Sequence, residues 1–156
     1  MEKGKVFDSS GNGLHGTLID DAHIVSDPER GSVLSLDGKG DHVDCGNGPA
    51  FHITGSLTVS CWVKAGEFDN QYPTIMAQLW SLWWYKDNGD MYFRSGALDV
   101  GVERYTSKVQ AYAAMALDDG RGHHVVGVLD GTNISIYLDG VLGDSKSYEG
   151  RIVKND

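Results

Sequence analysis

The chain has 156 residues, the length of one domain with a single sizeable core, and it shows no linker or second composition regime. Its 13 Lys and Arg residues against 22 Asp and Glu residues give a formal net charge of −9, which disfavours nucleic-acid binding. The apolar stretches are too short to cross a membrane, and the N-terminus lacks the apolar run of a signal peptide. We therefore expect one domain, residues 1–156, with no nucleic acid and no membrane as partner.

The first notable element is the loop Asp8-Ser-Ser-Gly-Asn12-Gly13, which carries oxygen-bearing side chains at alternate positions. Calcium prefers carboxylate, amide and carbonyl oxygens on a curved backbone, which Asp8, Ser10 and Asn12 supply. The loop is not an EF-hand, because Ile19 stands where the bidentate Glu belongs and no helix pattern flanks it. Two interpretations stay open: a calcium site, or a glycine-rich turn in which Asp8 caps its own backbone.

Four short strands are predicted next, at residues 16–19, 32–37, 42–45 and 56–65. Two of them contain Cys45 and Cys61, which allow one disulfide and have no zinc-type spacing. Their apolar contexts favour buried free thiols, and a bridge between neighbouring strands stays open. Trp62 is predicted to belong to the core.

The clearest hairpin is predicted from Ser81 to Ser95, where Asn88-Gly89 favours a two-residue type I′ turn. That turn pairs Tyr85 with Tyr92. Strand alternation then separates a core face from an amphipathic aromatic face; the first carries Leu82, Trp84, Met91 and Phe93, and the second carries Trp83, Tyr85, Tyr92 and Arg94.

The second half of the chain also predicts strands. Residues 109–117 are rich in alanine, which favours helix, but their position between strand segments predicts a strand. A second hairpin joins residues 124–130 to residues 133–139, and its alternation gives one apolar face: Val125, Gly127, Leu129, Ile134, Ile136 and Leu138. Many short antiparallel strands at this spacing predict an all-β fold, a two-sheet sandwich or jelly roll.

Four segments, at residues 8–16, 33–44, 56–64 and 123–140, follow in the order seen in laminin-G-like domains of the concanavalin A-like lectin and glucanase superfamily. The chain resembles this family over nearly its whole length. The resemblance implies a concanavalin A-like two-sheet antiparallel jelly roll, usually a non-catalytic module of extracellular or cell-surface proteins. Fold does not fix function, and the compartment of this protein stays open.

The resemblance also implies a structural calcium ion, since many members bind one at the N-terminal loop. In this sequence its ligands would be Asp8 and Asn12, with the Ser10 hydroxyl and the carbonyls near Leu14. Apart from the resemblance, the acidic turn from Asp37 to Asp41 is predicted to be a solvated loop, with a second, weaker calcium locus at these two residues as the alternative.

Family members typically continue past the position of Ile152 with a closing strand that often supplies an acidic calcium ligand. This sequence stops at Asp156. Because an unpaired sheet edge is a template for another chain, we expect a truncated module or one completed by dimerisation or strand exchange.

Catalysis is not expected. Hydrolases of this fold use three spaced acids on one strand, and the nearest match, Glu67-Phe-Asp69, lacks the third. Neighbouring strand residues point to opposite faces, so His123 and His124 are predicted to be hydrogen-bonded histidines at a strand start rather than ligands of one metal ion.

The aromatic face of the first hairpin is the candidate ligand site. Sugars present apolar C–H faces edged by hydroxyls, which suits the rings of Trp83, Tyr85 and Tyr92 beside the Arg94 donor. Burial of these rings under a loop or the opposing sheet is the alternative. The sequence thus predicts a calcium-stabilised carbohydrate-binding module whose partner is a polysaccharide or glycan, or a protein-interaction and adhesion domain that uses the same rings.

Overall fold

The computed structural model describes residues 4–53, 55–66, 73–78, 80–85, 90–95, 110–114, 117 and 119–147. These residues form antiparallel β-sheets and one short 3-10 helix, Pro49–Phe51, so the all-β prediction is confirmed. None of the described residues belongs to a helix long and apolar enough to cross a bilayer. The chain divides into two compact units, Met1–Gly48 and Pro49–Asp156, and the expectation of one domain stays a prediction.

The first unit contains five short strands: β1 (Lys5–Val6), β2 (Gly16–Ile19), β3 (His23–Asp27), β4 (Gly31–Ser35) and β5 (His42–Asp44). They form a sheet of order β1-β2-β5 and a separate β3–β4 hairpin. Three of these strands, β2, β4 and β5, match the predicted segments closely, whereas β1 and β3 were not predicted. Among the described residues of this unit only Gly16 and Ala22 are buried, so its apolar core is very small.

The second unit contains two four-stranded sheets. The back sheet has the order β13-β12-β11-β6 and is built from β6 (Leu57–Lys64), β11 (Gly122–Leu129), β12 (Asn133–Leu138) and β13 (Val141–Ser147). The front sheet has the order β10-β9-β8-β7 and is built from β7 (Thr74–Ala77), β8 (Trp80–Tyr85), β9 (Asp90–Ser95) and β10 (Gln110–Ala114). Residues 110–114 are therefore a strand, as predicted against their alanine content.

One hydrophobic core lies between the two sheets, which confirms the sandwich. The predicted apolar face of the second hairpin is buried on the back sheet, and it meets the buried face of the front sheet: Leu82, Met91, Phe93, Ala111 and Ala113. Gly127 on the back sheet lies directly over the Phe93 ring, where an added Cβ would stand 2.6 Å from the ring carbons. The absence of a side chain at this position lets the sheets approach.

The register of the first hairpin differs from the prediction by two residues. Tyr85 pairs with Asp90 and Trp83 with Tyr92, so the connection is residues 86–89, which lie outside the described part of the chain. A shift of two keeps every side chain on its predicted face, because the side-chain period of a strand is two. Leu82 and Phe93 are accordingly fully buried.

Two burial predictions were wrong. Trp62 is 53% exposed, because it pairs with His124 on the outward face of the back sheet while Val59, Cys61 and Val63 alternate toward the core. Cys45 is exposed rather than buried, and Cys61 is half-buried. Both thiols are free, and burial raises the pKa of Cys61.

Candidate functional site

Three aromatic side chains form a row across the outward face of the front sheet. Trp83, Tyr92 and Tyr112 stand opposite one another on β8, β9 and β10, and we call them the aromatic ladder. The ring centroids of Trp83 and Tyr92 are 4.5 Å apart with planes 10° from parallel, and those of Tyr92 and Tyr112 are 6.0 Å apart at 31°. These distances are close to the ~4.8 Å spacing of strands, so the rings stand on edge and lie against one another. The ladder therefore presents ring edges and tyrosine hydroxyls outward.

A row of polar side chains runs parallel to the ladder, one pleat further along the strands. Ser81, Arg94 and Gln110 stand opposite one another on the same three strands. The Arg94 Nε atom is buried and makes no hydrogen bond in the structure, the one such side-chain atom among the described residues. On the other side of the ladder, the Asp90 carboxylate accepts a hydrogen bond of 3.2 Å from the Tyr92 hydroxyl.

The Tyr112 end of the ladder meets the back sheet. The Lys146 ammonium lies 5.4 Å from the centroid of the Tyr112 ring and forms an ion pair of 3.3 Å with Asp144. Gly143 packs so closely on Ala113 that an added Cβ would collide with it. We call this junction of β10 and β13 the seam; it makes two side chains of the back sheet part of the ladder's surroundings.

The structure brings together three of the four predicted sugar-binding residues: Trp83, Tyr92 and Arg94. The backbone of Tyr85 pairs with Asp90, but its side chain lies outside the described part of the chain. Tyr112 was missed. Its signal was the alternation in Gln-Ala-Tyr-Ala-Ala, with small residues toward the core and one ring outward, but only the strand register shows that this ring continues the ladder.

The Asp8 loop is closed by its own hydrogen bonds. Asp8 Oδ1 accepts from the Ser10 amide at 2.7 Å, and Oδ2 accepts from the Ser10 hydroxyl at 2.8 Å and the Leu14 amide at 3.0 Å. The Ser10 hydroxyl oxygen in turn accepts a bond from Asn12 Nδ2 at 2.9 Å. Gly11 and Gly13 have positive φ angles that this tight curvature requires. These bonds, led by the one from the Ser10 hydroxyl, lower the pKa of Asp8 to about 2.

In this arrangement the predicted metal ligands do not form a cation cage. Calcium requires several oxygens with lone pairs directed at one point, whereas both Asp8 oxygens are directed at donors of their own loop. The geometry is that of a self-capped turn. Calcium binding by Asp8, Ser10, Asn12 and the Leu14 region stays a prediction, and it requires the loop to exchange some of these hydrogen bonds for the ion.

A second acidic group in the same unit gathers three carboxylates. Oxygens of Asp21, Asp37 and Asp41 all lie within 4.8 Å of one another. The Asp41 carboxylate accepts bonds from the Asp21 amide at 3.1 Å and the Asp37 amide at 3.0 Å. The pKa of Asp21 is raised by its hydrogen bond with the Asp41 carboxyl and by the charge there, while the Asp37 amide lowers the pKa of Asp41. The sequence already suggested Asp37 and Asp41 as a pair. That Asp21 joins them is visible only in the folded structure.

The two adjacent histidines lie on opposite faces of β11, as predicted. His123 is buried and lies between the carboxylates of Asp119 and Asp139. His124 faces outward, where its Nε2 is 2.8 Å from the Ser60 hydroxyl and its ring stacks on Trp62 with centroids 5.0 Å apart. They bind separate partners, so the prediction of hydrogen-bonded histidines is confirmed.

The second unit is thus a two-sheet β-sandwich with an aromatic and polar surface on its front sheet. Residues 37–156 match a laminin-G-type family model described as the concanavalin A-like lectin/glucanases superfamily. The chain belongs to this family. No curated protein matches the chain, and no solved structure matches it.

Proposed function

We propose that this protein is a non-catalytic carbohydrate-binding module that holds a glycan across the aromatic ladder and its polar row. The observation that carries the proposal is the buried Arg94 Nε–H, which has no acceptor beside three outward aromatic rings. A buried donor left unsatisfied costs about 1–3 kcal/mol, which an arriving oxygen atom offsets. Sugars bring such oxygens, which can also pair with the tyrosine hydroxyls and lie against the electropositive ring edges, together with apolar surface that packs beside the rings.

The two rows also indicate how the ligand lies. They extend across β8, β9 and β10, a width of about 10 Å at the ordinary strand spacing. A sugar chain laid across the strands contacts rings along one side and the half-buried Arg94 and Gln110 along the other. An oligosaccharide fills this length better than a single sugar does.

The acidic residues near the ladder favour glycan binding over glycan hydrolysis. Glycoside hydrolysis needs two carboxyl groups that flank one bond, with one held ready as an acid. Asp90 is engaged by the Tyr92 hydroxyl, and Asp144 is paired with Lys146. Each carboxylate therefore has a structural partner already.

A glycan array probed with the whole chain, with and without calcium, tests the proposal. We expect retention of one glycan class, and loss of that retention in Arg94→Gln. Lys64→Gln, an exposed cation on the back sheet, serves as the matched control and should bind as the unchanged protein does. Absence of binding to every glycan on the array would count against a carbohydrate ligand.

Calcium is proposed as a stabiliser of the first unit. A unit with so few buried residues gains from a metal, which ties loops together as a core otherwise would. A ligand bound only to the folded state adds about 2.7 kcal/mol at a hundred times its Kd, so a chelator should lower the Tm by several degrees. Asp8→Ala and Asp41→Asn are measured separately. The variant whose Tm no longer responds to the chelator identifies the loop that binds calcium. Superimposable melting curves with calcium and with chelator would contradict stabilisation of this protein by calcium.

A second candidate function, protein interaction or adhesion, is favoured by the outward face of the back sheet. On this face, which we call the Trp62 face, Trp62 and Leu142 are exposed, and they lie among the half-buried side chains of His124, Val126, Val128 and Tyr137 and the Ser60 hydroxyl. Contiguous apolar groups on a surface are typical of interfaces. Light scattering at several concentrations should then show a homodimer that Trp62→Ser dissociates. A monomeric mass at every concentration would contradict self-association through this face.

A further inference from the structure

His123 lies between two carboxylates in a way that fixes its protonation state. The residue is only 7% exposed; its Nδ1 is 2.8 Å from Asp139 Oδ2, and its Nε2 is 3.0 Å from Asp119 Oδ1. An ionised carboxylate accepts hydrogen bonds and cannot donate them. Both contacts therefore require N–H groups on both ring nitrogens, which only the imidazolium form provides.

Each carboxylate also holds a backbone amide, so the imidazolium connects two turns. Asp139 Oδ1 accepts from the His124 amide at 2.8 Å, and Asp119 Oδ1 accepts from the Arg121 amide at 2.8 Å. The described charged groups beside the cluster include Arg121, with its Nε 3.8 Å from Asp119 Oδ2, and His124, which adds to the effect of the His123 hydrogen bond in lowering the pKa of Asp139. From the neighbouring strand β6, the residue paired with His123 is Val63, which carries no charge.

The two turns border the seam. Asp119 lies between β10, which ends at Ala114, and β11, while Asp139 lies with Gly140 in the turn between β12 and β13. These two strands meet where Gly143 packs on Ala113 and where the Tyr112 amide approaches Asp144 Oδ2 at 3.5 Å. The imidazolium thus connects the segment that follows β10 to the turn that leads into β13, at one end of the seam.

We propose that His123 is a proton-operated latch of the seam, closed when the imidazole is protonated and released when it is neutral. A neutral imidazole has one N–H, so it keeps its hydrogen bond to one carboxylate. Its other nitrogen then presents a lone pair to the second carboxylate, and that hydrogen bond is lost. The released turn lets β13 shift against β10. Since β13 carries Lys146 and Asp144 at the end of the aromatic ladder, the latch regulates glycan binding, a consequence that rests on the proposed function.

The pKa directions set the pH range of the latch. Hydrogen bonds that the imidazolium donates to Asp139 and Asp119 raise the pKa of His123 above its ordinary 6.5, so its stabilisation is complete below 6.5 and is lost as pH rises through the higher folded value. The pKa values of Asp119 and Asp139 are lowered from 3.8, so their contribution is present above 3.8 and is lost in acid. The latch is closed between these limits and opens on the alkaline side.

A residue-specific NMR titration of the whole chain from about pH 5 to about pH 9 tests the latch without a ligand. We expect the His123 ring to titrate with a midpoint above 6.5, and the Tyr112 and Lys146 backbone amides to shift with the same midpoint. Asp119→Asn should move all three midpoints down together. His42→Gln, at an exposed histidine of the first unit, is the matched control and should leave them in place.

Two results would overturn the latch: a His123 midpoint at or below 6.5, or amide shifts at Tyr112 and Lys146 that do not follow it. If an array glycan binds, its affinity should weaken across the same midpoint in the unchanged protein and across the lower one in Asp119→Asn. Failure of every glycan to bind would contradict the proposed function, while the amide titration still decides the latch.

Discussion

Gly127→Val is expected to lower the free energy of unfolding by about 3 kcal/mol, measured by urea denaturation of the whole chain. A Cβ at Gly127 would stand 2.6 Å from the Phe93 ring, which belongs to the opposing sheet. The backbone of β11 is held by hydrogen-bonded neighbours on both sides, β12 and β6, so it cannot easily retreat. The clash must push the sheets apart or force Phe93 from its position, and both cost packing throughout the core.

Gly122→Val is the matched control for this substitution. Gly122 begins the same strand, and an added Cβ there would meet no atom within 4 Å. Its φ angle is not positive, so a β-branched residue suits the site. We expect a change within about 0.5 kcal/mol. Equal losses in the two variants would mean that the sheets do not approach at Gly127.

Trp83→Ala should weaken retention of the bound glycan by about 30-fold or more, the effect of losing about 2 kcal/mol at a tryptophan anchor. The substitution removes one end of the ladder and leaves Tyr92 without its stacked neighbour. Because the side chain lies on the outward face, the buried core remains intact. Affinity electrophoresis in a gel that contains the array-selected polysaccharide measures the loss directly.

Trp62→Ala provides the comparison, since Trp62 is a similarly outward tryptophan on the other sheet. It also stacks on a neighbouring ring, that of His124, so the local loss is comparable. We expect its retention to match that of the unchanged protein. If Trp62→Ala weakened glycan retention and Trp83→Ala did not, the glycan site would lie on the Trp62 face and not on the aromatic ladder.

Strand faces could be predicted from sequence more reliably than strand register. The first hairpin places Leu82 and Phe93 inward and Trp83 outward as expected, although the pairing is displaced by two residues. Alternation decides the face, and any even displacement preserves it. The pairing depends on the connection, and Asn88-Gly89 alone did not reveal that four residues separate Tyr85 from Asp90.

Long-range contacts explain what the sequence did not show. Tyr112 joins the ladder only because β10 pairs with β9, and Asp21 joins Asp37 and Asp41 from 16 or more positions away. Trp62 was assigned to the core, whereas the alternation of β6 places it outside. The Asp8 loop was recognised from its residues, but whether its oxygens turn toward an ion or toward its own amides is a matter of geometry.

The measurement that bears most directly on carbohydrate binding is an NMR titration of the whole chain with the glycan selected on the array, followed at the Arg94 Nε–H resonance. This N–H is a buried donor with no acceptor in the structure, so its proton should shift strongly and exchange more slowly when a sugar oxygen accepts it. The Trp83 indole and the Tyr112 amide should shift with the same saturation. An unchanged Arg94 resonance, with shifts confined to Trp62 and His124, would contradict a glycan site on the aromatic ladder.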